Sequence, residues 1–390
     1  MQLPSAMKIA LLTTDNRWPF GEYDKPAPWF GMAPDALLQG FASMPKEIEV
    51  HVVSCTRKPV AAPEKLASNI FFHSLYVPKI GWMRTGYLGC IRAVRRKLKQ
   101  IQPDLVHGQG TEHENSISAV FSGYPSVVTL LGIMKEMAKI QRARPGSFYW
   151  LAAKLENLTL RRTTGVLANS RFTAEKIQGR TKKIWHVPNA VREIFFSTPL
   201  TSVDGERESE PPVLLNVGVI APNKRQNELL DMAEQLHAEG LKFRLEFLGG
   251  ASRDNPYGAK FLSRIAKCPF ASHLGFRPLP EIFKLYEGAV GLVHVSEIES
   301  FGLVVAEALS RNLKFTGFNA GGVADIISGV ERAEGFSDGD WAGVKSALRC
   351  WLQAGAPRPT TAAQTMRERY HPVSIARQHL EVYREVLSRI

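Results

Sequence analysis

Gly288-Ala-Val-Gly-Leu-Val-His-Val295 followed by Glu299-Ser-Phe-Gly-Leu-Val-Val-Ala-Glu307 joins a short apolar run to the start of an apolar helix, with one glutamate at the junction and another beyond it. The run reads as a buried strand, which puts Glu299 and Ser300 on the loop leaving its carboxyl end. Ligands of open α/β sheets bind there. Ser300 has the chemistry of an N-cap, and Gly302 lets a ligand approach the backbone. The N–H groups of Phe301, Gly302 and Leu303 at a helix start face an anion such as a pyrophosphate. Glu307, about two turns into the helix, is placed to accept hydrogen bonds from a diol such as a ribose. A glycine pair, Gly321-Gly322, follows. Two glutamates at this spacing also read as solvated helix charges, so the rest of the chain has to decide between the readings.

Working outward, the same alternation of strand and helix patterns fills the chain. Lys8–Thr13, Glu49–Ser54, Asp104–His107, Ser126–Leu130, Gly165–Asn169 and Lys183–Val187 read as buried strands of a first domain. Val213–Val217, Phe243–Leu248, Ala289–Val295 and Leu313–Thr316 repeat the pattern in a second. Strands alternating with helices make an α/β fold with doubly wound parallel sheets. A length of 390 residues with 44% hydrophobic content suits two cores rather than one. The acidic, proline-terminated stretch 200–212 is the expected linker, separating a first domain at 1–199 from a second at 213–371.

Charge is uneven. Residues 1–200 hold 27 Lys+Arg against 14 Asp+Glu (+13), and residues 201–390 hold 22 against 23 (−1), together the +12 of the whole chain. Much of the excess lies in 84–99, where Arg92, Arg95, Arg96, Lys97 and Lys99 share an expected helix with Tyr87, Leu88, Ile91, Val94 and Leu98. That helix reads either as a contact for an anionic membrane surface or as an ordinary helix packing its apolar stripe on a sheet. Nucleic acid is not an expected partner, because no binding motif accompanies the charge. Cys55, Cys90, Cys268 and Cys350 are scattered without C-x-x-C spacing, against a disulfide framework or a zinc cluster and in favour of a reducing cytoplasm. No apolar run is long enough to span a membrane, and residues 1–8 lack the apolar core expected of a signal peptide. Neither the dinucleotide G-x-G-x-x-G nor the triphosphatase G-x-x-x-x-G-K-[ST] follows a strand. Asp338-Gly-Asp340 has the form of a metal site, but it precedes a helical pattern starting at Trp341, where either aspartate serves as an N-cap. No cofactor and no metal are expected.

With its surroundings, the Glu299-x7-Glu307 segment resembles the glutamate motif of retaining glycosyltransferases of family 4 with the GT-B fold. Val166–Ile177 followed by Val187-Pro-Asn-Ala-Val191 is similar to the segment closing that family's first domain. Asn216–Arg225 looks like its glycine, arginine and lysine loop, whose basic side chains hold the donor diphosphate. Lys224 matches the lysine, whereas Val219 stands where the arginine is expected, and Arg225 substitutes for it or is a solvated loop arginine. Leu274–Tyr286 resembles the stretch beside the nucleobase. Asn312 and Lys314 replace a glycine and a proline, a mild change because Asn tolerates a left-handed helix cap. The end of the chain looks like the family's terminal helix, so 372–390 is expected to rejoin the first domain.

The resemblance implies two Rossmann-like domains facing a central cleft, and retaining transfer of a sugar from a nucleotide diphosphate donor, UDP-sugar first and GDP-sugar second, to an acceptor hydroxyl in glycan or glycolipid synthesis. It assigns Lys224 to the diphosphate and Glu299 to the donor sugar. Glu307 would hold the ribose, with Gly218, Ser300, Phe301, Gly302, Leu303 and Arg225 completing the donor site. The family's donor-sugar histidine is replaced by Leu131, a vacancy that His113 or His107 can fill. Gly31 is either an acceptor-side cleft glycine or a plain helix-start glycine. A glycan, a lipid-linked sugar or a small molecule is the expected acceptor, and the expected location is the cytoplasm, with peripheral contact at the inner face of the membrane as an option. Two alternatives stay open: a GT-B-like sugar-nucleotide epimerase, and a catalytically degenerate module that binds glycan or membrane.

Overall fold

The computed structural model describes residues 6–200 and 211–389. The chain forms two compact units, one ending at Glu193 and resuming at Tyr370, the other running from Ile194 to Arg369. In the first, eight strands make one sheet: β1 (Met7–Leu12), β2 (Ile48–Thr56), β3 (Lys65–Ala67), β4 (Ile70–Tyr76), β5 (Leu105–Gln109), β6 (Ser126–Leu130), β7 (Gly165–Ala168) and β8 (Ile184–His186). Their order is β3-β4-β2-β1-β5-β6-β7-β8, parallel throughout except for the β3–β4 pair. Along β1, Ile9 and Leu11 enter one apolar core and Ala10 and Leu12 the other. Burial on both faces is why these strands read as continuous apolar runs rather than alternating ones.

The second unit has a six-stranded, all-parallel sheet: β9 (Val213–Val217), β10 (Arg244–Leu248), β11 (Ala271–Gly275), β12 (Gly291–His294), β13 (Lys314–Phe318) and β14 (Ala333–Phe336). The order is β11-β10-β9-β12-β13-β14, so the winding reverses between β9 and β12. In the first unit the reversal lies between β1 and β5. Those two positions are where such sheets open a crevice at the carboxyl ends of their strands.

The short β3 and the strands β4, β11 and β14 were not expected from sequence. Each carries polar residues, and β3, β11 and β14 lie at sheet edges, where partly exposed side chains leave no apolar run. The expected helix over 84–99 begins only at Leu88 and runs to Ile101. Gly86 and Tyr87 take left-handed backbone angles, φ 62° each, which separate Arg84 and its own short turn from the helix. Its stripe of Tyr87, Cys90, Ile91, Val94 and Leu98 is buried, while Leu88 is exposed.

The helix Pro372–Leu387 belongs to the first unit and packs on the helix Met32–Ala42 so closely that a Cβ on Gly40 would lie 2.2 Å from the Pro372 carbonyl oxygen. Residues 194–199, expected with the first domain, lie in the second unit. Buried Arg311 donates there to the carbonyls of Phe195, Thr198 and Pro199 and pairs with Glu287. Of the expected linker, residues 201–210 lie outside the described residues. Among the described residues, no helix is long and apolar enough to cross a membrane.

Candidate active site

The carboxyl ends of β9 and β12 bring together the residues that the sequence singled out in the second unit. Gly218 leaves β9 with φ 154°, and its carbonyl approaches so closely that a Cβ on Gly249 would lie 2.1 Å from it. Val219 is 64% exposed. The chain then turns through Pro222–Lys224, and the turn is tied to the loop after β12: Glu297 N–H and Ser296 Oγ both donate to the Asn223 carbonyl, at 2.8 and 3.3 Å. Lys224 Nζ donates to Glu299 Oε1 and forms an ion pair with it. The same oxygen lies 2.9 Å from Nε2 of His294, the buried last residue of β12. Burial alone would raise the Glu299 pKa, but the Lys224 charge and the His294 hydrogen bond outweigh it and hold the pKa at about 2. Glu299 is therefore an oriented anion, and Lys224 a cation with further N–H donors to offer.

Beyond Glu299 the local structure departs from expectation. Ser300 is not the N-cap; the helix starts at Leu303, and Gly302 caps it with φ 102°. Only glycine takes that angle readily. The space of a Gly302 Cβ is occupied by Val323 Cγ2, 2.9 Å away, so a glycine here lets the loop pack against Val323. Phe301 is buried as the anchor of the loop. At Gly322 a Cβ would lie 2.4 Å from the Ser300 carbonyl, and Gly322 N–H donates to the Glu299 carbonyl at 2.9 Å. Glu307 is buried on the Leu303–Leu309 helix. Arg225 turns to Asp338 as a bidentate pair, and Asp340 accepts from Gly343 N–H as the cap of the Trp341–Gln353 helix. Asn312 takes the left-handed angle that its place required, φ 54°.

In the first unit, His107 is excluded from the vacancy at Leu131. The strand runs on to Gln109, so His107 is enclosed in the sheet, 2.6 Å from the Tyr383 hydroxyl and 2.8 Å from Thr129 Oγ1, and burial keeps it neutral. His113 caps the Glu114–Val120 helix, with its ring beside Trp18 and Phe148; burial, then the Arg57 charge, lower its basicity. Gly31 caps the Met32–Ala42 helix, and a Cβ there would make only ordinary contact with Pro34.

The model of glycosyltransferase family 4 matches residues 36–193, and that of glycosyl transferases group 1 matches residues 200–367. The chain belongs to the family 4 glycosyltransferases. This glycosyltransferase has the GT-B fold, as do its structural neighbours. It aligns with sucrose-phosphate synthase from Thermosynechococcus elongatus over 98% of this chain and 100% of that one, at 15% identity and TM-score 0.76. It aligns with HepE of Anabaena in complex with UDP and glucose over 96% and 99%, at 17% identity and TM-score 0.68. The lipopolysaccharide outer core galactosyltransferase WaaB aligns over 97% and 100%, at 16% identity and TM-score 0.68. No curated protein matches the sequence.

Three residues of the glycosyltransferase escaped the sequence reading. His294 orients Glu299, and its only signal was its place at the end of the strand. Glu112 and Glu114 flank His113. The Glu112 carboxyl fills the space that side chains on Gly110 and Gly132 would need, 2.2 and 2.7 Å from the Cβ positions. Burial, aided by the Glu156 charge and opposed by backbone N–H bonds, lifts Glu112 to about 7; burial lifts Glu114 likewise. Among the described residues Glu114 Oε1 has no hydrogen-bond partner. A raised carboxyl holds its proton longer in the folded than in the unfolded chain. Its stabilising effect is complete below about pH 4.5 and lost as pH rises through about 7. Glu114→Gln is therefore expected to raise the melting temperature at pH 8 relative to wild type and to leave it nearly unchanged at pH 5, which a thermal scan at the two pH values checks.

Proposed function

We propose that the chain is a retaining, metal-independent transferase that moves a sugar from a nucleoside diphosphate donor, UDP-sugar first and GDP-sugar second, to an acceptor hydroxyl of a glycan, a lipid-linked sugar or a small molecule. The observation that carries the proposal is the Lys224–Glu299–His294 constellation at the β9/β12 reversal, with Glu307 buried on the helix that follows. Lys224 meets the diphosphate and stabilises the charge that grows on it as the sugar leaves, the kind of fixed electrostatic donor that accounts for much of enzymatic rate enhancement. Glu299 accepts hydrogen bonds from sugar hydroxyls, and Glu307 from the ribose. Retention follows from a front-side path on which the leaving diphosphate helps to take the acceptor proton. His113 is the first-unit group proposed to face the donor sugar. The UDP and UDP-glucose complexes of HepE support UDP as the first choice of nucleotide. Dispersed free cysteines suit a cytoplasmic location. No finding favours the epimerase.

A thermal-shift panel with UDP, GDP, ADP, CDP and NAD, each with magnesium and with EDTA, tests this on wild type and Glu307→Ala. A ligand at a hundredfold excess over its dissociation constant stabilises the folded state by about 2.7 kcal/mol. One nucleoside diphosphate should give a shift that survives EDTA and shrinks in the variant. Absence of a shift with every diphosphate would favour the degenerate module instead.

A further inference from the structure

Between β4 and the helix Leu88–Ile101, the chain makes two short turns, Lys79–Gly81 and Met83–Thr85. Ile80, at the first, is 81% exposed, with Tyr76 and Leu88 also exposed beside it. The turn is not a loose loop. Val77, Trp82 and Tyr87 anchor it in the core, and the Trp82 indole N–H donates to the Val77 carbonyl at 3.0 Å. Gly81 and Gly89 pack backbone to backbone, so that a Cβ on Gly89 would lie 2.5 Å from the Gly81 Cα. Ile80 is thus held outward by a rigid support. Beside it opens a groove of about 430 Å³, lined among others by Pro78, Leu88, Arg92 and Arg96, and a second of about 710 Å³ reaching Arg84 and Phe148. Neither lining contains an acidic residue. Residues 76–103 carry seven Lys and Arg and not one Asp or Glu.

We propose that this face of the first unit docks on an anionic phospholipid bilayer, with Ile80, Tyr76 and Leu88 entering the headgroup region and Lys79, Arg84, Arg92 and Arg96 meeting lipid phosphates. Charge complementarity selects an anionic partner. The aliphatic tip selects a bilayer over a nucleic acid, because a sugar-phosphate backbone offers Ile80 no apolar phase, whereas the boundary between headgroups and acyl chains does. Juxtamembrane cations add attraction that falls off within a Debye length of the surface. The surface belongs to the first unit and the Lys224 constellation to the second, so this inference does not depend on the donor reading.

Vesicle co-sedimentation tests it, with the full chain and vesicles of phosphatidylcholine alone or mixed with phosphatidylglycerol. Wild type is expected to sediment with the mixed vesicles, to stay in solution with the neutral ones, and to be released by high salt. Ile80→Asp and the double variant Arg92→Glu/Arg96→Glu are each expected to lose most of the bound fraction. Ile80, Arg92 and Arg96 are exposed, so both variants should fold, which an unchanged melting temperature verifies. Wild type remaining in solution with anionic vesicles would overturn the proposal. So would binding that depends on the arginines but is untouched by Ile80→Asp, which would indicate charge adsorption without docking.

Discussion

Lys224→Ala is expected to lower turnover of a nucleotide-sugar donor by about 10²–10³-fold, the loss typical of removing one preorganised donor from a site where charge develops. The turn that carries Lys224 is fixed by the two bonds to the Asn223 carbonyl, neither of which involves the lysine side chain, so the backbone should keep its course in the variant. What disappears is the cation beside the departing diphosphate. Glu299 is affected as well, because the Lys224 charge is the leading influence that opposes the upward push of burial on its pKa. Glu299→Gln separates the two effects: it preserves the shape of the side chain, removes its charge and frees Lys224. Both variants are expected to fall in kcat, and Lys224→Ala, which removes the cation that meets the diphosphate, also in donor affinity. Release of free UDP from UDP-glucose, with water as the acceptor, measures this whatever the natural acceptor is. Turnover unchanged by Lys224→Ala would take the lysine out of the chemistry.

The largest stability effect is expected in the first unit, where Asp15→Ala should destabilise by about 3–5 kcal/mol, the usual cost of leaving one charge of a buried pair without its partner. Asp15, on the loop after β1, and Arg17, the first residue of the short helix Arg17–Phe20, are both fully buried. Arg17 Nε lies 3.1 and 3.0 Å from the two Asp15 oxygens, and Nη2 lies 2.7 Å from Oδ2. Its remaining donor, Nη1, reaches the carbonyls of Lys25 and Ala61 at 2.9 and 2.8 Å. Removing the carboxylate leaves a guanidinium in the interior with only carbonyl dipoles to compensate it. The double variant Asp15→Leu/Arg17→Met removes both charges and is expected to recover much of the loss. Urea unfolding curves of the three proteins check the order, and a single variant as stable as wild type would contradict it.

The sequence made the repeated α/β architecture legible because parallel strands buried on both faces write long apolar runs, as β1 and β13 do. Strands β4, β11 and β14 stayed hidden because side chains that are only half buried need no such run. At the site, Glu299 stood out by its place after a strand and Lys224 by the resemblance of its loop to the family's, and the structure brings their side chains into contact. The cap of the following helix did not. Serine is a common cap and Ser300 was available, but the helix starts after Gly302, whose left-handed angle and close contact with Val323 suit a residue without a Cβ. The strand expected to end at His107 runs two residues further, which encloses His107 within the sheet instead of leaving it at the strand's carboxyl end. Glu112 and Glu114 could not be read at all, since their raised pKa values arise from burial that the local sequence does not encode.

The measurement that tests the central claim most directly is saturation-transfer difference NMR of UDP-glucose with wild type and Lys224→Ala. Saturation should reach both the ribose and the glucose protons in the wild type, be displaced by UDP, and be lost in the variant. Absence of transfer to the wild type, or transfer that Lys224→Ala leaves intact, would contradict a donor site built on Lys224, Glu299 and Glu307.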